Sequence, residues 1–354
     1  MTYSNNKRVK YMDIAKGIGI CLVVLCHAKF PLNHFFTMFY MPMFFFVSGY
    51  FYRSNENITT FMYKKIKTLY LYFVQYGVLF LLLRPFLVNL GFYTYYVPAE
   101  YNSSFLAPLA KYSFKDYISS FIKILFLNVP EQLMRPLWFI GALFIAMLIL
   151  KVTDVYIFIK MKSVFYQFII VLAIYFCGYI NFLPGFISQA CVAVLFCWAG
   201  WKAHEYNVLE TLFSLRISNK MLLFLFTFSI VSLASLKTDL IFMTNTYTSW
   251  WTMLISSFSG IIMMMLVCNY LEKTIFSSIL SYIGQKTLYI LPLHIITFKI
   301  ISLFYIIVTD ADMTLLASYP IITNDYPWWV LYSVAGIFFP LLIELLIGNI
   351  RKKV

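Results

Sequence analysis

The 354-residue chain is 62% hydrophobic and only 12% charged, with a mean hydropathy of +0.81, whereas a soluble domain is near half apolar and a quarter charged. That excludes an ordinary soluble protein, and the long unbroken apolar runs exclude the alternating pattern of a membrane β-barrel. The net charge of +13 does not point to nucleic acid, because the basic residues sit in short loops between apolar runs, where they set membrane topology.

In chain order the apolar runs predict ten spans, at 11–29, 35–52, 68–90, 136–152, 164–181, 186–202, 221–237, 249–270, 281–308 and 327–349. With the N-terminus inside, the inner segments carry 18 Lys and Arg and the outer segments 6. Short-loop bias of that size orients the chain. The outer 309–326 loop, with Asp310, Asp312 and Asp325 and no Lys or Arg, agrees with it. The fold class expected is therefore all-α: a polytopic integral membrane bundle of about ten transmembrane helices, one domain over 1–354, with both termini cytoplasmic. The first span lacks a small-residue cleavage site, so a signal peptide is not expected. Residues 91–135 form a long outer segment rich in Tyr, Ser, Asn and Pro. Its later part, 114–127, has the helical spacing and mixed polarity of a segment lying along the interface, against the plainer reading of a connecting loop. The six cysteines lie in apolar runs without Cys-x-x-Cys spacing, so neither a disulfide nor a metal site is expected.

The polar residues inside the spans carry the chemistry. From Lys10 to Ala28 the run is broken by three strongly polar residues, Asp13, Lys16 and His27. Eleven residues at 100° per residue bring Lys16 and His27 to within about 20° of each other on one helix face, roughly 16 Å apart along the axis. Asp13 shares that face and can pair with Lys16. Ionisable groups in a membrane are costly and face a protein interior or a wet cavity. A neutral histidine there is suited to taking a proton from a hydroxyl. Asp13 is too far along the axis to orient it, so an orienting partner has to come from another helix.

Lys64, Lys65 and Lys67 precede the third span, either as a positive-inside anchor or as a phosphate site. Arg135-Pro136-Leu137-Trp138 opens the fourth span. Trp138 there can be an interface anchor, and Arg135 beside an aromatic can hold a sugar or an anion. His294 sits mid-span behind Pro292, which frees backbone carbonyls nearby, and its role is left between site-lining and structural. Arg84, Lys299 and Glu344 are expected to snorkel or to be paired. Ser48-Gly49 reads as a close helix contact.

Asp13-Ile-Ala-Lys16-Gly17 through His27, followed by Tyr40-Met-Pro-Met-Phe-Phe-Phe-Val-Ser48-Gly49-Tyr50, resembles the membrane acyltransferase-3 family, in its fucose 4-O-acetylase-like branch of polysaccharide O-acetyltransferases. That family's first helix carries a basic residue, ten residues and a histidine, matched here by Lys16 and His27. Lys64-x-x-Lys67 falls where the family carries a basic pair, commonly two arginines. The Leu137-Trp138-Phe139 opening and the Gly284 to His294 stretch look similar as well. The resemblance implies transfer of an acyl group, usually acetyl from acetyl-CoA, to a hydroxyl of a glycan or lipid-linked sugar in the bacterial envelope, by a multi-pass protein of the inner membrane. It implies His27 as general base and Lys16, Asp13, Lys64 and Lys67 on the donor side. Arg135, Trp138 and His294 are then expected toward the acceptor, and polysaccharide-synthesis or export proteins as partners. Two other readings stay open: a transporter or flippase of lipid-linked glycans, and an accessory subunit of a synthase or exporter.

Overall fold

The computed structural model describes residues 9–93, 112–161 and 163–353, with side chains to residue 346 in the last helix. Residues 94–111 of the predicted outer segment lie outside the described residues. The chain starts in α1 (Lys10–His27), passes a short turn α2 (Asn33–Thr37) and returns in α3 (Tyr40–Tyr50). Next come α4 (Ile58–Lys65), a π-helical turn at Ile66–Tyr70 and α5 (Leu71–Asn89), which run on as one stack. Lys64, Lys65 and Lys67 are therefore helical residues and do not precede the third span. Asn57 starts the helix early, its side chain accepting the Thr59 N–H, a strong N-terminal signal.

The expected interfacial segment is α6 (Phe114–Leu125), closed at its start by a Ser113/Asp116 capping box. The Ser113 hydroxyl and N–H hold the Asp116 carboxyl below its ordinary value. A 3-10 turn at Gln132–Leu137 leads into α7 (Trp138–Tyr156), and α8 (Val164–Tyr179), α9 (Ile187–Glu205), α10 (Val208–Ser214) and α11 (Ile217–Lys237) follow. A small hairpin pairs β1 (Leu240–Ile241) with β2 (Thr246–Tyr247). The chain ends with α12 (Trp250–Leu271), α13 (Ser277–Gln285), α14 (Thr287–Thr309) and α15 (Trp328–Lys353).

Each of the ten predicted spans contains a helix. Six stretches among the described residues are long and apolar enough to cross a membrane, at 58–89, 132–160, 217–237, 250–271, 287–309 and 328–346. The others fall short for visible reasons: three charges in α1, eleven residues in α3, sixteen in α8 and polar ends on α9. The predicted 281–308 span is two helices, because the chain turns at Lys286 and the Thr287 hydroxyl satisfies the Gly284 carbonyl at 2.8 Å.

Two crossings set the centre of the bundle. A Cβ on Gly17 would collide with the Leu280 carbonyl, and one on Gly284 with the Asp13 carbonyl, so α1 and α13 touch backbone to backbone. Gly49 and Gly200 do the same for α3 and α9 against Cys197 and Phe46, as Ser48-Gly49 suggested; small residues permit such approach in membranes. Lys286 pairs with Glu344 of α15 at 2.5 Å. The start of α1 and the far part of α15 are thereby on one face of the bundle, the face carrying both chain ends.

Prolines inside these helices leave carbonyls without an N–H partner. The carbonyl opposite Pro292 belongs to Leu288 and accepts the Tyr72 hydroxyl of α5. Ahead of α3, the Met38 carbonyl accepts the buried Ser257 hydroxyl of α12 at 2.9 Å.

Candidate functional site

Helix α1 places the first elements of the site. Asp13 pairs with Lys16 at 2.5 Å; the carboxyl is buried and the lysine side chain 29% exposed. Three turns further on, His27 closes the helix. Its ring is half-buried, and its accessible part faces a small cleft of about 30 Å³. The walls come from α1, α3, α7 and α14, including Val23, Tyr40, Phe44, Trp138 and Leu291, with Pro136 from the turn before α7. The lining is mostly apolar, and His27, Tyr40, Trp138 and Thr287 supply its few polar groups.

The second imidazole is His294, fully buried, with its ring centroid 5.1 Å from that of His27 and a 41° tilt between the planes. His294 Nδ1 lies 3.2 Å from the Ile290 carbonyl. A carbonyl only accepts, so that nitrogen carries the hydrogen, and in the neutral ring Nε2 is left as an acceptor. Nε2 is buried and has no hydrogen-bond partner among the described residues. The orienting group that sequence reasoning could not identify thus has a candidate more than 260 residues away in the chain.

Trp138 is buried in the cleft wall and stacks on Phe242 of the hairpin loop, centroids 6.0 Å apart. Arg135, one residue before Pro136, is half-buried and sits 5.4 Å from the centroid of Tyr319. It makes no ion pair among the described residues. Trp138, His27 and His294 are therefore together, and Arg135 adjoins them.

The lysines of the α4–α5 stack are elsewhere. Lys64 is exposed and paired with Glu56, and Lys67 is exposed. Lys65, half-buried over the Phe61 ring at 5.3 Å, is the one turned inward. Among the described residues, Lys16 pairs with Asp13 and Lys64 with Glu56, so the two sets of lysines are not joined by an ion pair. The three lone charges all have partners: Arg84 has buried Glu131 at 2.7 Å, Glu344 has Lys286, and Lys299 donates to the Leu316 and Ser318 carbonyls at 2.9 and 2.6 Å.

Sequence reasoning missed two polar clusters on the face of the chain ends. Tyr11, Tyr50 and Glu210 bond one another, with hydroxyls 2.8 Å apart and Tyr50 to Glu210 at 3.1 Å. Tyr52 and Ser54 donate to Asp154, while fully buried Lys151 holds the Ser54 carbonyl. Their carboxylates stand at helix ends or in short helices, where a single-sequence reading finds ordinary solvated charges.

The chain matches the family described as an acyltransferase domain, acyltransferase-3, over residues 9–345. No curated protein and no solved structure matches it. The match spans nearly the whole chain, the fold is a multi-pass helical membrane bundle, and the matched region holds the His27 cleft with His294 packed behind it; the chain belongs to the acyltransferase-3 family of membrane acyltransferases.

Proposed function

We propose that the chain moves an acetyl group from acetyl-CoA to a hydroxyl of a cell-envelope glycan, at the inner membrane, with His27 as general base. The observation that supports this most is the setting of His27: an imidazole on the wall of a mostly apolar cleft, beside a second imidazole, on the helix face that carries the Asp13–Lys16 pair. The donor's phosphates need cations. Lys16 stands near the face that carries the chain ends. Lys64 and Lys67 are exposed on their own helix, and the Lys64–Glu56 pair is a surface ion pair, worth about 0–1 kcal/mol, that a phosphate can displace. Roughly 16 Å of helix between Lys16 and His27 is about the reach of an extended pantetheine arm. Arg135 and Trp138 take the acceptor side, the tryptophan as a stacking surface for a sugar.

The reaction closes in protons. The acceptor oxygen attacks the thioester carbonyl carbon as its proton passes to His27. The carbon–sulfur bond breaks, the thiolate takes that proton from the imidazolium, and the ester and the free thiol result. The His294 ring, its centroid 5.1 Å from that of His27, packs against the base and holds its ring plane, while the Ile290 carbonyl fixes His294 itself through Nδ1.

An alcohol is a poor nucleophile without a base, and a positioned one contributes on the order of 10²–10⁴-fold. His27→Ala should remove glycan acetylation to that extent, read by mass spectrometry of the envelope glycan, while purified protein still binds acetyl-CoA. A variant that binds donor and acetylates within a few-fold of wild type would show that His27 is not the base.

A further inference from the structure

A second concave feature lies away from the histidine cleft, between α11 and α12, an open groove of about 450 Å³. Its two ends differ. Helices α11 and α12 run antiparallel, so Lys220, early in α11, and Lys273, just past α12, close the same end, with Asn269 and Tyr270 beside them. Toward the middle of the helices the walls become Phe224, Leu225 and Leu266. The charged end is on the face of the chain ends, since α12 turns there into α13, which packs on the start of α1.

We propose that this groove holds one phospholipid with an anionic headgroup, its phosphate between Lys220 and Lys273 and an acyl chain along Phe224, Leu225 and Leu266. Three observations select that occupant. Neither lysine has a carboxylate within ion-pair distance among the described residues, so the cations are available to a ligand. Only 11% of the α11 span is buried, which leaves the groove open sideways to the bilayer. Basic pockets between transmembrane helices on the inner side are built to take anionic headgroups. A second copy of the chain would bring Arg216, Lys220 and Lys273 against the same charges. A free phosphate would leave the apolar two-thirds of the groove unfilled.

The test uses the full-length protein in neutral detergent and native mass spectrometry, with phosphatidylglycerol and phosphatidylcholine of identical acyl chains. Phosphatidylglycerol should bind in preference. At about 1 kcal/mol per lysine near such a headgroup, Lys220→Gln with Lys273→Gln should weaken it roughly 10–30-fold and leave phosphatidylcholine unchanged. Leu225→Trp, which fills the groove without touching its charge, should weaken both lipids. Equal binding of the two lipids by wild type, or an undiminished preference in the double variant, overturns the proposal. So does full displacement of phosphatidylglycerol by millimolar inorganic phosphate, which would make the groove a phosphate site.

Discussion

Lys16 shows what a helix sequence reveals and what it hides. Its pairing with Asp13 follows from three-residue spacing on one helix, and the structure contains it. The distance from Lys16 to His27 is equally local, fixed by helical rise alone. The neighbour of His27 was not legible, because His294 reaches it through tertiary packing of a helix far along the chain. The inward turn of Lys65 was equally hidden, since the π-helical turn at Ile66–Tyr70 shifts the helix phase there and no residue in it announces that. If Lys16 meets donor phosphate, Lys16→Ala should raise the apparent KM for acetyl-CoA, and Lys16→Arg should keep most of the activity because charge and reach are retained. An inactive arginine variant beside a fully active alanine variant would contradict an anion-binding role. For His294, loss of the ring that packs on His27, a ring contact worth up to about 1.5 kcal/mol, predicts up to roughly a tenfold lower kcat in His294→Ala, with the acetyl-CoA KM unchanged. Comparable changes in kcat and KM would place His294 at the donor instead.

At the scale of elements, a hydroxyl from a neighbouring helix completes what proline removes. Tyr72 serves the Leu288 carbonyl left by Pro292. A carbonyl without a partner away from water costs about 1–3 kcal/mol, so Tyr72→Phe should lower the thermal midpoint measurably. The informative variant is the double one. Pro292→Ala restores an N–H that can reach the Leu288 carbonyl, so Tyr72→Phe should cost less in its presence. Full additivity in that cycle, measured by thermal unfolding in detergent, would mean the hydroxyl does not act through the proline's orphan carbonyl. The prolines were visible in the sequence, and the freed carbonyl beside His294 was expected from Pro292. Which hydroxyl would answer it depends on the packing of α5 against α14, and nothing near Tyr72 encodes that. The crossing of α1 on α13 is the stricter element: Gly17→Leu or Gly284→Leu forces the two backbones apart and should reduce the folded yield far more than Gly141→Ala, whose added carbon meets a Phe186 ring carbon at 3.3 Å.

The whole molecule is the scale at which composition was most informative. Continuous apolar runs established the helical membrane class, and short-loop charge supplied an orientation. Cysteine-accessibility labelling on a cysteine-free background checks it: positions near Lys160 and Lys352 should react from the cytoplasm, and positions near Lys115 and Asp312 from outside. External labelling near Lys160 would reverse the bundle and put Lys16 on the wrong side for a cytoplasmic donor. The span count was less legible. Apolar periodicity does not distinguish a helix long enough to cross from a shorter one supported by neighbours. The turn at Lys286 escaped notice because Gly284-Gln285-Lys286-Thr287 carries no proline to mark it.

The packing of α1 also bears on how the protein is made. Among the described helices this one is made first, yet Lys10, Asp13 and Lys16 make it one of the least suited to remain in a membrane unaided. Its backbone partner, α13, is roughly 270 residues later, which at translation rates of about 5–20 residues per second is roughly 15–50 s of synthesis. During that interval α1 has to be sheltered by the insertion machinery or by α3 and α12 as they arrive. A ribosome stalled before Ser277 would therefore strand α1 without the surface it was shaped to meet, and quality-control proteases should clear chains ending there faster than chains ending after Thr309.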